Sequence, residues 1–327
     1  MMLQRAITSF NNGKTEEAER LFREVLKTNP SHINANHYLA ILLLTLGRLD
    51  EAEISFKKAL ELKPDSDVYQ NLANTQIQLK KFEEAEINYR KVLEFDPDNL
   101  DIRYNLGNTL KDLNRLDEAV VIYKKLIELK PDYFKAHFNL AVTFRELNKI
   151  DEALKYYNNA KFLKPDTNFL SGTILYLKMQ LNIWDDLQSK LQELTKKINN
   201  GEMSIVPWPL LSLIDDPELH RKVAEIYSNH KFPKSNLFPK ISKYHNHEKI
   251  KIGYFSADFN NHPVGMVTAE LYELHDRKKF EIHAFSFGLD KKDEINTRIR
   301  KGVDHFHDVH RISDIDLVKL ARSLEID

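Results

Sequence analysis

The sequence contains no cysteine, which excludes a disulfide framework and every thiolate metal site. That usage fits a reducing compartment, so a cytoplasmic location is expected. Glycine and proline are scarce, 9 and 11 in 327 residues, as in a mainly helical protein with tight, punctuated turns. No apolar run reaches the roughly 18 residues that a membrane helix needs, so no membrane span is expected. The start Met1-Met2-Leu3-Gln4-Arg5-Ala6 leads into a polar helical pattern without the apolar stretch of a signal peptide. Neither charge is in excess: 48 Lys and Arg stand against 49 Asp and Glu, which removes the electrostatic case for nucleic acid. What remains is a mostly helical chain long enough for a solenoid plus a further domain.

A period is present instead. Pro30, Pro64, Pro97, Pro131 and Pro165 follow one another at 34, 33, 34 and 34 residues. Ala18, Ala52, Ala85, Ala119 and Ala153 keep that register, each with an aromatic four residues later (Phe22, Phe56, Tyr89, Tyr123, Tyr157). Twelve residues before each alanine stands a small residue: Ala6, Ala40, Ala73, Gly107, Ala141. The pattern resembles the tetratricopeptide repeat, about five copies over residues 1–165. The small residues mark where the two helices of a pair cross, and the aromatics are expected to fill the gap between repeats. Gly13, Gly47, Lys80, Asn114 and Asn148 occupy the turn between helices, where a left-handed residue ends the first helix. Lys80 breaks that rule and predicts a slightly different or strained turn. Acids opening the second helices (Asp50-Glu51, Glu83-Glu84, Asp117-Glu118, Asp151-Glu152) and lysines closing them (Lys63, Lys130, Lys164) match the helix dipole.

The first helices carry a further column, Asn71, Asn105 and Asn139, each within Asn-Leu-Ala or Asn-Leu-Gly. Asparagine is a mediocre helix former. Its amide both donates and accepts, so a stack of such residues suits the backbone of an extended peptide. Hydrogen bonding inside the repeat is the other reading. Residues 166–247 lose the period but stay helical, with an amphipathic helix over Trp184 to Asn199. A rigid break is expected at Pro207-Trp208-Pro209, a helix capped by Asp216 follows, and Phe232 to His247 reads as a connector.

Residues 248–327 change class. Strand patterns at 249–256, 280–287 and 303–309 alternate with helical patterns at 264–274, 293–300 and 313–324, which predicts a parallel sheet with crossover helices. Ligands of such sheets sit beyond the strands' carboxyl ends, where Ser256 to Pro263 falls. His305, His307 and His310, with His245 and His247, raise the question of a metal. No zinc spacing accompanies them, and solvated or hydrogen-bonded histidines are the expectation. Asp-x-Asp occurs at Asp314-Ile315-Asp316, but also in repeat turns, so it discriminates nothing. Neither a dinucleotide glycine fingerprint nor a nucleophile elbow is present.

Tyr254-Phe255-Ser256-Ala257-Asp258-Phe259-Asn260-Asn261-His262-Pro263, then Lys279-Phe280-Glu281-Ile282, then Asp304-His305-Phe306 resembles the start of the catalytic region of O-linked N-acetylglucosamine transferases and their Spindly relatives. The order of array, connector and motif is similar as well. The resemblance implies a metal-independent, inverting transferase of two Rossmann-like lobes (GT-B type) that moves a sugar from UDP to Ser or Thr of a polypeptide held in the solenoid groove. His262 and His305 match active-site histidines, with Asp258, Asn261 and Pro263 as supporting loop, and the Asn71, Asn105, Asn139 column resembles a peptide-binding ladder. No metal or resident cofactor is implied; a UDP-sugar is the expected donor. The second lobe, with most UDP contacts, is due where the chain stops at Ile326-Asp327, so a fragment lacking turnover is expected. The alternative is a non-catalytic interaction scaffold. The sugar, N-acetylglucosamine or fucose, stays open, and the repeats leave room for an oligomer.

Overall fold

The computed structural model describes residues 2–233, 237–239, 247–288 and 291–326. It falls into two compact units, Met1–Lys234 and Ser235–Asp327. The first unit begins with five helix pairs: α1 (Met2–Asn11) and α2 (Thr15–Thr28), α3 (Ile33–Thr45) and α4 (Leu49–Leu62), α5 (Ser66–Gln78) and α6 (Phe82–Phe95), α7 (Leu100–Asp112) and α8 (Leu116–Leu129), α9 (Phe134–Glu146) and α10 (Ile150–Leu163). Each helix packs on its neighbours in sequence, which makes this part an α-solenoid.

The repeated columns form its core. Ala6, Ala40, Ala73 and Ala141, and all five alanines of the second helices, are fully buried, as are Phe22, Phe56 and Tyr123. The aromatics do not only seal neighbouring repeats, as the spacing suggested. A methyl group built on Gly107 would lie 2.6 Å from Tyr123 Cε1, so this ring packs against the small residue of its own pair. The opening turns are alike throughout. Lys81 N–H donates to Gln76 O at 2.8 Å, as Arg48 N–H does to Leu43 O at 2.9 Å and Arg115 N–H to Leu110 O at 2.8 Å. Lys80 adopts the same left-handed conformation as its counterparts, φ 59° against 58° at Asn114 and 74° at Gly47. The turn is therefore unchanged, and the lysine carries the backbone strain.

Behind each turn a basic residue ties one repeat to the one before. Arg48 Nη1 donates to Glu19 at 2.8 Å, Lys81 Nζ to Glu53 at 2.6 Å, and Arg115 to Glu86. At the next step Val120 occupies the acidic position, and Lys149 lies 3.7 Å from Asp117 instead. The unit continues through α11 (Leu170–Gln180), α12 (Leu187–Asn199), α13 (Pro207–Leu213) and α14 (Pro217–Lys231). Pro207-Trp208-Pro209 is not a break: it opens α13, because the first helical turn needs no N–H partner. Asp186, at φ 58°, delays the start of α12 to Leu187.

In the second unit three parallel strands, β1 (Ile250–Ser256), β2 (Phe280–Ser286) and β3 (His305–Asp308), stand in the order β1-β2-β3. The helices α15 (Pro263–Leu274), α16 (Glu294–Gly302) and α17 (Asp314–Ser323) follow them in turn. One sheet face, with Tyr254, Ala284 and Phe306, packs on Tyr272, Ala269 and Ile299 of α15 and α16. The other carries a row of rings: Phe255 on Phe285 at 4.5 Å between centroids, then Phe285 on His307 at 4.6 Å. Asp304 fixes the entry to β3, accepting from Ile282 N at 2.7 Å and Arg277 Nη1 at 2.8 Å. The chain is mainly helical, a tetratricopeptide solenoid followed by a Rossmann-like α/β unit of three parallel strands. Among the described residues no helix is long and apolar enough to cross a membrane.

Candidate functional site

The loop from Ser256 to Pro263 leaves the carboxyl end of β1 and is held at several points. Ser256 Oγ accepts from Asp258 N at 3.0 Å, and Asn260 Nδ2 donates to Ala257 O at 3.2 Å. Asp293, the N-cap of α16, accepts from Asn261 N at 2.8 Å and from Asn296 N at 2.8 Å. Those two backbone N–H groups hold the Asp293 carboxyl below its ordinary range. The buried Asn296 amide donates to Phe259 O at 2.6 Å. A methyl on Gly265 would stand 2.3 Å from Asn260 O, so the absence of a side chain there lets α15 dock on the loop.

This clamp ends on His262. Its Nδ1 accepts from Val264 N at 3.2 Å and caps α15, whose first residue is Pro263. Asp258 Oδ2 lies 3.8 Å from the same nitrogen, and the imidazole is 46% exposed. A neutral ring that uses its Nδ1 lone pair in this way carries its proton on Nε2. As placed, His262 offers a solvent-facing Nε2–H donor beside a carboxylate; to accept a proton at Nδ1 it must first release the cap. Asp258, Asn261, His262 and Pro263 thus lie in one loop.

His305 lies elsewhere. It pairs in register with His283, three steps short of the Ser286–Asp308 pair at the carboxyl edge, roughly 10 Å back along the strand. Its Nε2 contacts Glu281 Oε1 at 3.0 Å, which also receives His283 Nε2 at 3.0 Å. His283 Nδ1 in turn meets His307 Nε2 at 3.1 Å. Burial pushes the His283 and His307 imidazoles below their ordinary range, keeping both neutral. Burial also works against the Glu281 carboxylate, yet the His283 bond holds its pKa down. His305 and His307 share one sheet face, while His310 pairs with Asp308 at 2.6 Å and His247 with Glu325 at 2.7 Å. His245 lies outside the described residues.

In the solenoid Asn71, Asn105 and Asn139 sit half-buried on the first helices of three successive pairs. The Asn71 and Asn105 amides have no hydrogen-bond partner among the described residues. Asn139 Nδ2 is engaged, donating to Asn108 Oδ1 at 2.7 Å and Tyr104 Oη at 3.2 Å.

Residues 222–319 match the model of glycosyl transferase family 41, and tetratricopeptide models match successive stretches from residue 10 to residue 167. The chain thus resembles tetratricopeptide-repeat proteins in its first half and glycosyl transferase family 41 over residues 222–319. Its curated relatives include a probable UDP-N-acetylglucosamine–peptide N-acetylglucosaminyltransferase SEC of Arabidopsis thaliana, 25% identical over 44% of this chain and 16% of the relative. The corresponding enzyme of Caenorhabditis elegans is 27% identical over 20% of this chain and 6% of its own. This chain therefore spans less than a fifth of either relative. Among solved structures, an O-GlcNAc transferase of Thermobaculum terrenum aligns over 80% of this chain and 44% of its own, at 20% identity and a TM-score of 0.49. The tetratricopeptide protein YrrB aligns over 50% and 86%, at 21% and 0.48.

Within the family 41 region, reading the sequence missed Asp293 and Asn296 as the clamp on the loop, and Glu281 and His283 as partners of His305. The alternation Glu281-x-His283 in one strand and His305-x-His307 in the next was the available signal. It becomes a cluster only once parallel register pairs His283 with His305.

Proposed function

We propose that the gene encodes a protein O-glycosyltransferase that uses a UDP-sugar, N-acetylglucosamine by resemblance, with the solenoid binding the acceptor polypeptide. The observation that carries this reading is the clamped loop that sets His262 at the carboxyl end of β1, inside the stretch that matches family 41. An exposed imidazole at a strand's carboxyl end, fixed by a helix cap and flanked by Asp258, is suited to proton transfer at an acceptor hydroxyl or a leaving phosphate. His305 is not paired with it in this reading, since its Nε2 is turned to Glu281. The two unpartnered asparagines, Asn71 and Asn105, support an acceptor surface, because a peptide unit satisfies both halves of an amide.

A donor site of the two-lobed kind needs more than a three-stranded unit. We propose that turnover takes place in the cytoplasm and requires a gene product with both lobes of such a donor site. Radiolabelled sugar transfer from UDP-N-acetylglucosamine to a Ser/Thr peptide by that product tests the reading. A product that neither transfers sugar nor binds UDP contradicts it. The same result favours the scaffold reading, which the independent core of the solenoid supports.

A further inference from the structure

Glu281, His283 and His305 each present one donor atom, and all three atoms lie within 4.8 Å of one another. Two of the separations are 3.0 Å, from Glu281 Oε1 to Nε2 of His283 and to Nε2 of His305. Zinc bound at about 2.1 Å by tetrahedral N and O ligands spaces those atoms about 3.4 Å apart. Those two separations need to open by only a few tenths of an ångström, and the third, between the two imidazole nitrogens, lies within 4.8 Å. The His283 side chain is 3% exposed, Glu281 29% and His305 50%, so one ligand is fixed in the sheet and the other two border solvent.

We propose that Glu281, His283 and His305 form a binding site for a zinc-like divalent transition metal, with His307 orienting His283 and a fourth position open to water. Two imidazoles and one carboxylate suit zinc, cobalt or nickel and disfavour magnesium and calcium, which take oxygen ligands. The proton arithmetic is closed. Each ring binds through a bare Nε2, so its single proton moves to Nδ1. On His283 that nitrogen lies 3.1 Å from His307 Nε2, which accepts the hydrogen bond as an outer-shell partner once His307 carries its own proton on Nδ1. On His305 the proton faces solvent, and no proton is lost overall. Lys251 on the same sheet face bears on Glu281 and His283 and opposes a dication, whereas the Glu281 carboxylate offsets one charge. The ligands come from two strands and show no zinc spacing in the sequence.

Cobalt(II) titrated into the full 327-residue chain tests the site through its visible absorption, with calorimetry using zinc. One saturable equivalent with a tetrahedral cobalt spectrum is expected, and excess magnesium leaves it unchanged. His305→Ala, at an exposed position, abolishes the spectrum. His307→Gln weakens binding about 10–100-fold. His310→Ala, outside the cluster, binds as the parent does. The proposal is overturned if the parent yields only the hydrated-ion spectrum, if His305→Ala binds as tightly, or if His310→Ala abolishes binding. Circular dichroism of each variant separates lost binding from lost fold.

Discussion

Asn139 Nδ2 lies 2.7 Å from Asn108 Oδ1, which also accepts from Tyr123 Oη at 2.6 Å. The same pairing of tyrosine and asparagine recurs one repeat earlier, Tyr89 Oη on Asn74 Oδ1 at 2.7 Å. The third asparagine of the column is thus bound into the repeats, whereas the Asn71 and Asn105 amides have no hydrogen-bond partner among the described residues. Asn139→Ala should lower unfolding stability by about 1 kcal/mol, the net value of a hydrogen bond, while Asn71→Ala and Asn105→Ala stay within about 0.5 kcal/mol of the parent. Urea unfolding of the three variants measures this. Asn105→Ala should weaken capture of an extended acceptor peptide by calorimetry, and equal losses of stability at all three positions would remove the distinction.

Lys80 occupies the left-handed turn that glycine fills at Gly13 and Gly47. Lys80→Gly should raise stability by about 1 kcal/mol, since the strain of an L side chain there is relieved. The glycine's larger unfolded-state freedom offsets part of that gain. A shift of the thermal midpoint upward is the expected readout; a downward shift contradicts it.

Gly107→Ala should go the other way. Alanine gains about 1 kcal/mol of helix propensity over glycine, but its methyl meets the Tyr123 ring at 2.6–3.0 Å. That ring is fully buried and tied to Asn108, so it has little room to yield. Overpacking of about 1–3 kcal/mol wins, and chemical denaturation should show a net loss.

Glu53 sets an acid limit. Burial works against its carboxylate, but hydrogen bonds from Lys57, Lys81 and Gln76 outweigh that and hold its pKa down to about 2 from an ordinary 4.5. The unfolded chain therefore binds this proton more readily than the native one. The pair's contribution is fully present above about pH 4.5 and is lost as the pH falls towards 2. With a side chain 5% exposed, it is worth about 2–3 kcal/mol by linkage. Stability measured between those limits should fall more steeply for the parent than for Glu53→Gln.

Much of this was legible in the residues because repetition multiplies a weak signal. Ala18, Phe22 and Pro30 mean little alone, but five copies in register fix the solenoid. The strands and helices after Lys249 could likewise be read, since their apolar periods differ. What could not be read is whatever depends on which strands lie side by side. Glu281 and His283 join His305 only through the β2–β3 register, and Asp293 reaches Asn261 across 32 residues. Pro207-Trp208-Pro209 misled because proline both breaks a helix and opens one. Asn139 looked like Asn71 and Asn105 until Asn108 was seen beside it.

His262, presented by the loop after β1, is proposed to handle the proton during glycosyl transfer. The most direct test is the turnover of the longest gene product with His262→Ala, measured beside the parent with UDP-sugar and a Ser/Thr peptide. A loss of about 10²–10⁴-fold in kcat with peptide affinity unchanged is expected. Turnover equal to the parent's in that variant contradicts it.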